Sequence, residues 1–329
     1  MLAVTGLVGI ACGGDDDDDD ATPAATTAAA TTAAASPTTA ASPTAAAAYP
    51  VKVTDLLGRS VEIKAKPKTI VAISPTAVEY VYAVGGTVVG RSQSAEFPEA
   101  AKQAKEVGTA YQPSFEAILA LKPDLVVADS VIHIDPRLRG PIEQLGVPVI
   151  FAGAENYKQV IAGLTLLGTV LDAQAKAKEV ISGIEKARSD AKTALGTNKI
   201  AAVILIAGRD QTLYSAKSTS FAGDILAQVG VTNPAANEPD SGPGFPGYTT
   251  LAQEKLIQYN PDYIFTITPA PAPAPRLSTL VPQIPPFKGL KAVTGSKVIE
   301  LNLEEWLQAP GPRIANAFKA LADAVKAKP

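Results

Sequence analysis

The segments EAILALKPDLVV, from Glu116, and EKLIQYNPDYIF, from Glu254, constrain the fold more than any other feature of the chain. Both read Glu-x-apolar-apolar-x-apolar-x-Pro-Asp and then continue into three strand-forming residues. Pro disfavours helix at the residue before it, so each segment ends a short amphipathic helix and opens a buried strand. Other pairs follow in the same order. Glu79-Tyr80-Val81-Tyr82-Ala83-Val84-Gly85 resembles Asp224-Ile225-Leu226-Ala227-Gln228-Val229-Gly230, and Gly146-Val147-Pro148-Val149-Ile150 resembles Gly295-Ser296-Lys297-Val298-Ile299. Three matches in register argue for two similar α/β lobes within one chain.

Strand and helix signals alternate through both halves. VKVTDLLGRSVEI turns at Leu57-Gly58 and predicts an opening hairpin. TIVAIS, TVVG, LVVAD and VPVIFA read as short strands in the first half, and AAVILIA and KVIELN in the second, with helices stopped by Gly85-Gly86 and by Gly230. This alternation predicts mostly parallel sheets. Residues 156–195 lack Pro and keep apolar residues at helical spacing, including Val160, Leu164, Leu167, Leu171, Ile181 and Ile184. A continuous helix there would run roughly 60 Å and form a strut between lobes. Gly163, Gly168 and Gly183 also allow two consecutive helices. The expected organisation is a first lobe over residues 49–154, a connecting helix over 155–196 and a second lobe over 197–329.

The repeated acids have an orientation. In each phrase the apolar residues two, three and five positions on, Ile118, Leu119 and Leu121 or Leu256, Ile257 and Tyr259, cluster opposite the Glu at about 100° per residue. Both acids stand near a helix start, after Ser114 and Thr250 as caps, where negative charge is favoured. For one isolated Glu the helix dipole is explanation enough. Two related positions, one per lobe, suggest paired docking points.

Ahead of the lobes, the apolar run MLAVTGLVGIA (residues 1–11) is too short to span a bilayer and leads into Cys12-Gly13-Gly14. A small residue before Cys at the end of an apolar run resembles the lipobox of bacterial lipoproteins. In that group the signal is cleaved before the Cys, whose thiol carries the lipid. No Lys or Arg precedes the run, and Gly9 stands where the motif usually has Leu; a start assigned too far downstream would explain the missing basic residues. Residues 12–48 then read as a lipid-anchored tether, since Asp, Ala, Thr, Ser and Pro with no large apolar residue cannot bury enough surface to fold. An O-glycosylated stalk fits the same composition.

Composition removes several chemistries. The net charge is −3, and without the run Asp15–Asp20 the remainder is slightly basic, so no nucleic-acid footprint is present. One Cys and one His, His133, argue against disulfides, His-rich metal centres and most Ser-His or Cys-His nucleophile pairs. Neither G-x-S-x-G nor G-x-x-x-x-G-K-[ST] occurs. No catalytic residue, cofactor or bare-metal ligand set is expected.

With these motifs on the page, the chain resembles the substrate-binding proteins of ABC importers for iron-siderophores, heme and cobalamin. The similarity runs from Val53 to Ala327 through TDLLGRSVEI, KTIVAISPTAVEYVYAVGG, VVGRS, EVGTAYQPSFEAILALKPDLVVAD, LGVPVI, SFAGDILAQVG, EKLIQYNPDYIF and APGPRI. It implies two similar Rossmann-like lobes joined by one long α-helix, with a ligand cleft between them and no enzymatic turnover. It implies a lipoprotein, anchored at Cys12 on the outer face of the cytoplasmic membrane, that hands a ferric siderophore or related chelate to a permease dimer. Glu116 and Glu254 match the acids that pair with basic residues on the permease. A cobalamin, corrinoid or heme receptor is the alternative within the group; a two-lobed enzyme or a structural lipoprotein that kept the fold are more distant ones.

Such ligands are bulky, with apolar faces and polar rims, so aromatic walls and a few cations are expected in loops after the strands. The candidates are Pro75, which matches a cleft-lining position of the family, with Thr76, Phe97, Tyr111, Tyr214, Phe245, Tyr248 and Trp306 for walls. Arg137, Arg139, Arg209 and Arg276 are the candidates for polar contacts. Ala110 and Asp129 stand where corrinoid binders often carry Trp. The Pro-Ala run from Thr268 to Pro275 is expected to form a stiff loop over the cleft mouth.

Overall fold

The computed structural model describes residues 49–196, 199–208, 212–242 and 245–327. The segment before residue 49, on which the expected signal remnant, lipidated Cys12 and tether fall, lies outside the described residues, as does Arg209.

The opening hairpin forms as expected, β1 (Val51–Thr54) pairing antiparallel with β2 (Ser60–Ile63). Asp55 shapes its turn by accepting from the amides of Leu57 and Arg59 at 3.0 and 2.9 Å. The first lobe is then built on β3 (Ile70–Ala72), β4 (Gly90–Arg91), β5 (Lys105–Glu106), β6 (Leu125–Ala128) and β7 (Val149–Phe151). These form an all-parallel sheet in the order β5-β4-β3-β6-β7. Its helices are α1 (Pro75–Ala83), α2 (Phe115–Ala120) and α3 (Pro136–Glu143).

The helical stretch that follows is two helices, α4 (Tyr157–Val170) and the 22-residue α5 (Gln174–Leu195). The chain breaks at Asp172, whose φ is +52°. The glycines are not the breakpoints. A Cβ at Gly163 would lie 2.7 Å from the Tyr80 ring and one at Gly168 2.6 Å from Ala177 Cβ, so both let helices approach closely.

The second lobe carries β8 (Ala202–Ala207), β9 (Leu213–Ala216), α6 (Phe221–Gln228), β10 (Tyr248–Thr250), α7 (Gln253–Tyr259), β11 (Tyr263–Ile267), α8 (Leu277–Leu280), α9 (Lys291–Thr294), β12 (Val298–Glu300) and α10 (Ile314–Ala327). Its sheet order is β10-β9-β8-β11-β12, with β9 alone running against its neighbours.

The repeated phrase now has a structural meaning. In both copies the short helix feeds the strand beside the lobe's first parallel strand, β6 beside β3 and β11 beside β8. Lys122 and Asn260 both adopt positive φ, at +49° and +39°, two residues ahead of the aspartate. Each aspartate then ties down the neighbouring strand's entry. Asp124 accepts from the amides of Lys68 and Thr69 at 2.9 and 3.0 Å, and Asp262 from that of Ala201 at 2.9 Å. The phrase is thus a helix exit and a strand clamp in one. The third pair is looser: Gly146 has positive φ, but in the second lobe Ser296, not Gly295, takes that conformation.

One continuous apolar core unites the lobes. It runs from Ile63, Ala72 and Tyr80 through α4 and α5 to Ile204, Phe265 and Phe318, while smaller clusters fill the outer face of each sheet. A polar clasp reinforces the junction. The amide of Tyr157, at the start of α4, donates to Asp224 of α6 at 2.7 Å, and the Arg188 guanidinium of α5 lies 4.3 Å from the Tyr157 ring centre.

Candidate functional site

A cavity of about 410 Å³ lies at the carboxyl ends of the first lobe's strands. In open α/β sheets this is where ligands bind, because every strand exit there leaves a loop free to vary. Pro75, Thr76 and Glu79 enter from the start of α1, and Glu96 and Phe97 from the segment after β4. Thr109, Ala110 and Tyr111 follow β5, and Asp129 follows β6. The opposite wall is the segment ahead of α10, with Glu304, Leu307, Gln308, Ala309, Pro310 and Arg313.

The floor is crossed by an ion pair between the lobes. Arg313 grips Glu79 with two bonds, Nε to Oε2 at 2.9 Å and Nη2 to Oε1 at 2.6 Å. Glu304 and Glu305 also approach the guanidinium, at 3.4 and 3.5 Å, and the Phe97 ring centre lies 4.4 Å from its Cζ. Glu79 is only 3% exposed. Burial pushes its carboxyl up to about 7, against the downward pull of the Arg313 bonds. A carboxylate removed from water loses more solvation than a partly exposed cation returns.

The wall beside Tyr111 is held by His133, which is fully buried. Its Nδ1 accepts the Asp129 amide at 3.0 Å, which leaves Nε2–H to donate to the Ala110 carbonyl at 2.9 Å. The single histidine therefore pins one cleft loop to another. Asp129 folds back on its own loop, accepting from the amides of Val131 and Ile132 at 2.7 and 3.1 Å. Burial moves its carboxyl upward in pKa, with those bonds opposing.

The expected ligand residues divide. Pro75, Thr76, Phe97 and Tyr111 line the cavity, the two aromatics 44% and 64% exposed. Trp306 does not; it is 1% exposed and part of the core. Tyr248 is buried too, its ring stacked on Phe245 at 4.2 Å, with Tyr214 edge-on to Phe245 at 5.2 Å. These three satisfy one another rather than face the cavity, and burial pushes the Tyr248 hydroxyl up to about 12. Arg137 is bound to Asp135 at 2.6 Å and Arg139 lies 3.7 Å from Glu143, both away from the cavity. Arg276 lines an adjoining pocket of about 390 Å³ that shares Glu304 and Gln308 with the first. Among the described residues no group of three or more His, Cys, Asp or Glu side chains converges as a metal site.

Glu79 and Arg313 are not among the site residues expected from the sequence. A signal existed: Glu79 interrupts the apolar run AVEYVYAV, and an acid on a helix's core side demands a partner.

The two repeated acids are exposed, each in the first turn of its helix. Ser114 caps α2 as expected, accepting from the Ala117 amide at 3.3 Å. Thr250 is not a cap; it ends β10, and α7 begins after Ala252 without a side-chain cap. Leu119 and Ile257 are not core residues either, at 47% and 42% exposed. Helices of six and seven residues bury one position fully, Ile118 in one and Leu256 in the other.

The family described as periplasmic binding protein matches residues 70–304. The chain belongs to that family. Among its relatives, the probable siderophore-binding lipoprotein YfiY of Bacillus subtilis (strain 168) is 29% identical over 286 residues, covering 80% of this chain and 84% of that protein. The Fe(3+) dicitrate-binding periplasmic protein FecB of Escherichia coli (strain K12) is 27% identical over 225 residues, covering 68% and 69%. In three dimensions the petrobactin-binding protein YclQ of Bacillus subtilis aligns with a TM-score of 0.72 at 19% identity, over 84% of this chain and 98% of that one. That likeness establishes the two-lobed fold. Among the described residues no helix is long and apolar enough to cross a membrane.

Proposed function

We propose that this protein is the extracytoplasmic receptor of an ABC importer, capturing a ferric siderophore or a related metal chelate and passing it to the permease without chemical change. The observation that carries the reading is the cavity at the strand ends of a periplasmic binding protein fold, edged by two exposed aromatic rings, Phe97 and Tyr111. Exposed aromatics beside a concave, mostly preformed site suit a bulky ligand with flat apolar faces.

Delivery rests on the repeated acids. Glu116 and Glu254 occupy the same place in the two copies of one phrase, both exposed, and each has an exposed aliphatic residue three positions on, Leu119 or Ile257. An acid with an apolar neighbour suits docking against basic residues of a permease dimer, the charges setting orientation more than affinity. Cys12, at the end of the apolar run MLAVTGLVGIA, would carry the lipid that keeps the receptor at the membrane's outer face. The domain limits proposed are a tether ending at residue 48 and lobes joined by the helices of residues 155–196.

The test is equilibrium titration of the purified protein with ferric hydroxamates, ferric catecholates, ferric citrate, heme and cobalamins. At least one should bind reversibly with a Kd below about 1 μM, or roughly −8 kcal/mol. Binding of none at that level removes the proposal.

A further inference from the structure

We infer that this cleft selects neutral or cationic chelates and turns away anionic ones. The inference rests on the receptor reading above and narrows its ligand class. Among the described residues lining the cavity, four carry carboxyl groups, Glu79, Glu96, Asp129 and Glu304, against one guanidinium, that of Arg313. Arg313 is not available to an incoming anion. Glu79 holds it through two bonds, Glu304 and Glu305 flank it, and Phe97 covers its face.

The surplus of negative charge among these lining residues does not depend on the two buried carboxyls. With the buried Glu79 and Asp129 carboxyls both protonated, Glu96 and Glu304 still outnumber Arg313. Lys102 pairs with Glu96 at 3.3 Å, but it also serves Glu99 at 3.0 Å and does not line the cavity. In the adjoining pocket Arg276 is accompanied by Glu300 and Glu304. Arg137 and Arg139 point their charge at Asp135 and Glu143 elsewhere.

A cleft lined by one sign of charge concentrates its field, attracting cations and repelling anions. Among the described residues no three carboxylates are grouped as ligands to one metal ion, and a larger cation suits their spread better. Tyr111 adds an exposed ring, and Phe97 adds the ring face turned away from Arg313, both of which favour diffuse positive charge on a large apolar body. A ferric hydroxamate bearing a free ammonium, or a corrinoid without a net negative charge, has this character. A ferric catecholate or ferric citrate complex, with several negative charges, does not.

The test compares chelates that differ mainly in charge. The wild-type protein is titrated with ferrioxamine B (a cationic ferric trihydroxamate), ferrichrome (neutral), ferric dicitrate and ferric enterobactin (both anionic), and aquacobalamin. At least one cationic or neutral probe should bind tenfold or more tighter than either anionic one. Raising salt from about 0.1 M to about 1 M should shrink that ratio, because the charges that create it face water. The double variant Glu96→Gln/Glu304→Gln changes only partly exposed side chains and should narrow the ratio by about tenfold. An anionic chelate that binds as tightly as the cationic one overturns the inference while leaving the receptor reading intact. A preference unmoved by the double variant overturns its assignment to these carboxylates, and failure of every probe removes both readings together.

Discussion

Exchanging Glu79 for Gln separates two opposing contributions to the ion pair that crosses the cleft floor. Burial raises this carboxyl from 4.5 to about 7, and the bonds from Arg313 hold it back. In the unfolded chain the group titrates near 4.5. Between these values the folded protein keeps a proton that the unfolded chain has released. The stability tied to Glu79 is therefore fully present below about pH 4.5 and is lost as the pH rises through about 7. At about 1.4 kcal/mol for each tenfold change in the protonation equilibrium, the loss is roughly 3 kcal/mol. With Glu79 3% exposed, solvent screening does not reduce it much. Gln has no proton to exchange, still offers an oxygen to Arg313, and leaves that cation beside Glu304 and Glu305. Urea unfolding of both proteins from about pH 4.5 to about pH 8 should show the variant gaining on the wild type as pH rises. The swing should be roughly 3 kcal/mol, or about 1 M in midpoint for an m-value near 3 kcal/mol/M. A difference that stays flat, or that moves in favour of the wild type, would mean that the Arg313 bonds outweigh burial.

Three further outcomes follow from named contacts. Replacing Glu116 and Glu254 together by Ala should leave chelate affinity unchanged while slowing transporter-dependent uptake; lost affinity in the titration would sink the docking assignment. Asp124→Ala and Asp262→Ala should each cost about 1–2 kcal/mol in denaturant unfolding, since each removes a charged acceptor from a strand entry, two bonds at Asp124 and one at Asp262. Trp306→Ala should cost about 3–5 kcal/mol, lowering Tm by roughly 10 °C, as expected of a core residue rather than a ligand contact.

Much of the architecture was legible because it is written in local grammar. Glu-x-apolar-apolar-x-apolar-x-Pro-Asp fixes a helix exit, a positive-φ residue and a strand clamp within nine positions, so its recurrence exposed the second lobe directly. The break at Asp172 was less visible, since Gly163 and Gly168 drew attention as breakers while serving as close-packing points against Tyr80 and Ala177. Of the ligand residues expected from the sequence, Pro75, Thr76, Phe97 and Tyr111 line the cavity, each in a segment that follows a strand. Trp306, Tyr248 and Tyr214 do not line it, because an aromatic ring suits a core and a cleft wall equally well and only packing distinguishes them. Leu119 and Ile257 failed because helical periodicity assigns a side, whereas a helix of two turns covers too little surface to bury all of it. Glu79 and Arg313 lie 234 residues apart, so no window of sequence contains the pair.

The account rests on a chelate occupying the cavity beside Phe97 and Tyr111. The most direct measurement is calorimetric titration of the wild type and of the variant Phe97→Ala/Tyr111→Ala with the chelate that binds best. The wild type should bind one equivalent with a Kd below about 1 μM. The variant should keep its fold, since neither ring belongs to the apolar core, and lose about 100-fold in affinity, at roughly 1–2 kcal/mol per ring. Equal affinity in the two proteins would place the ligand elsewhere and contradict the account.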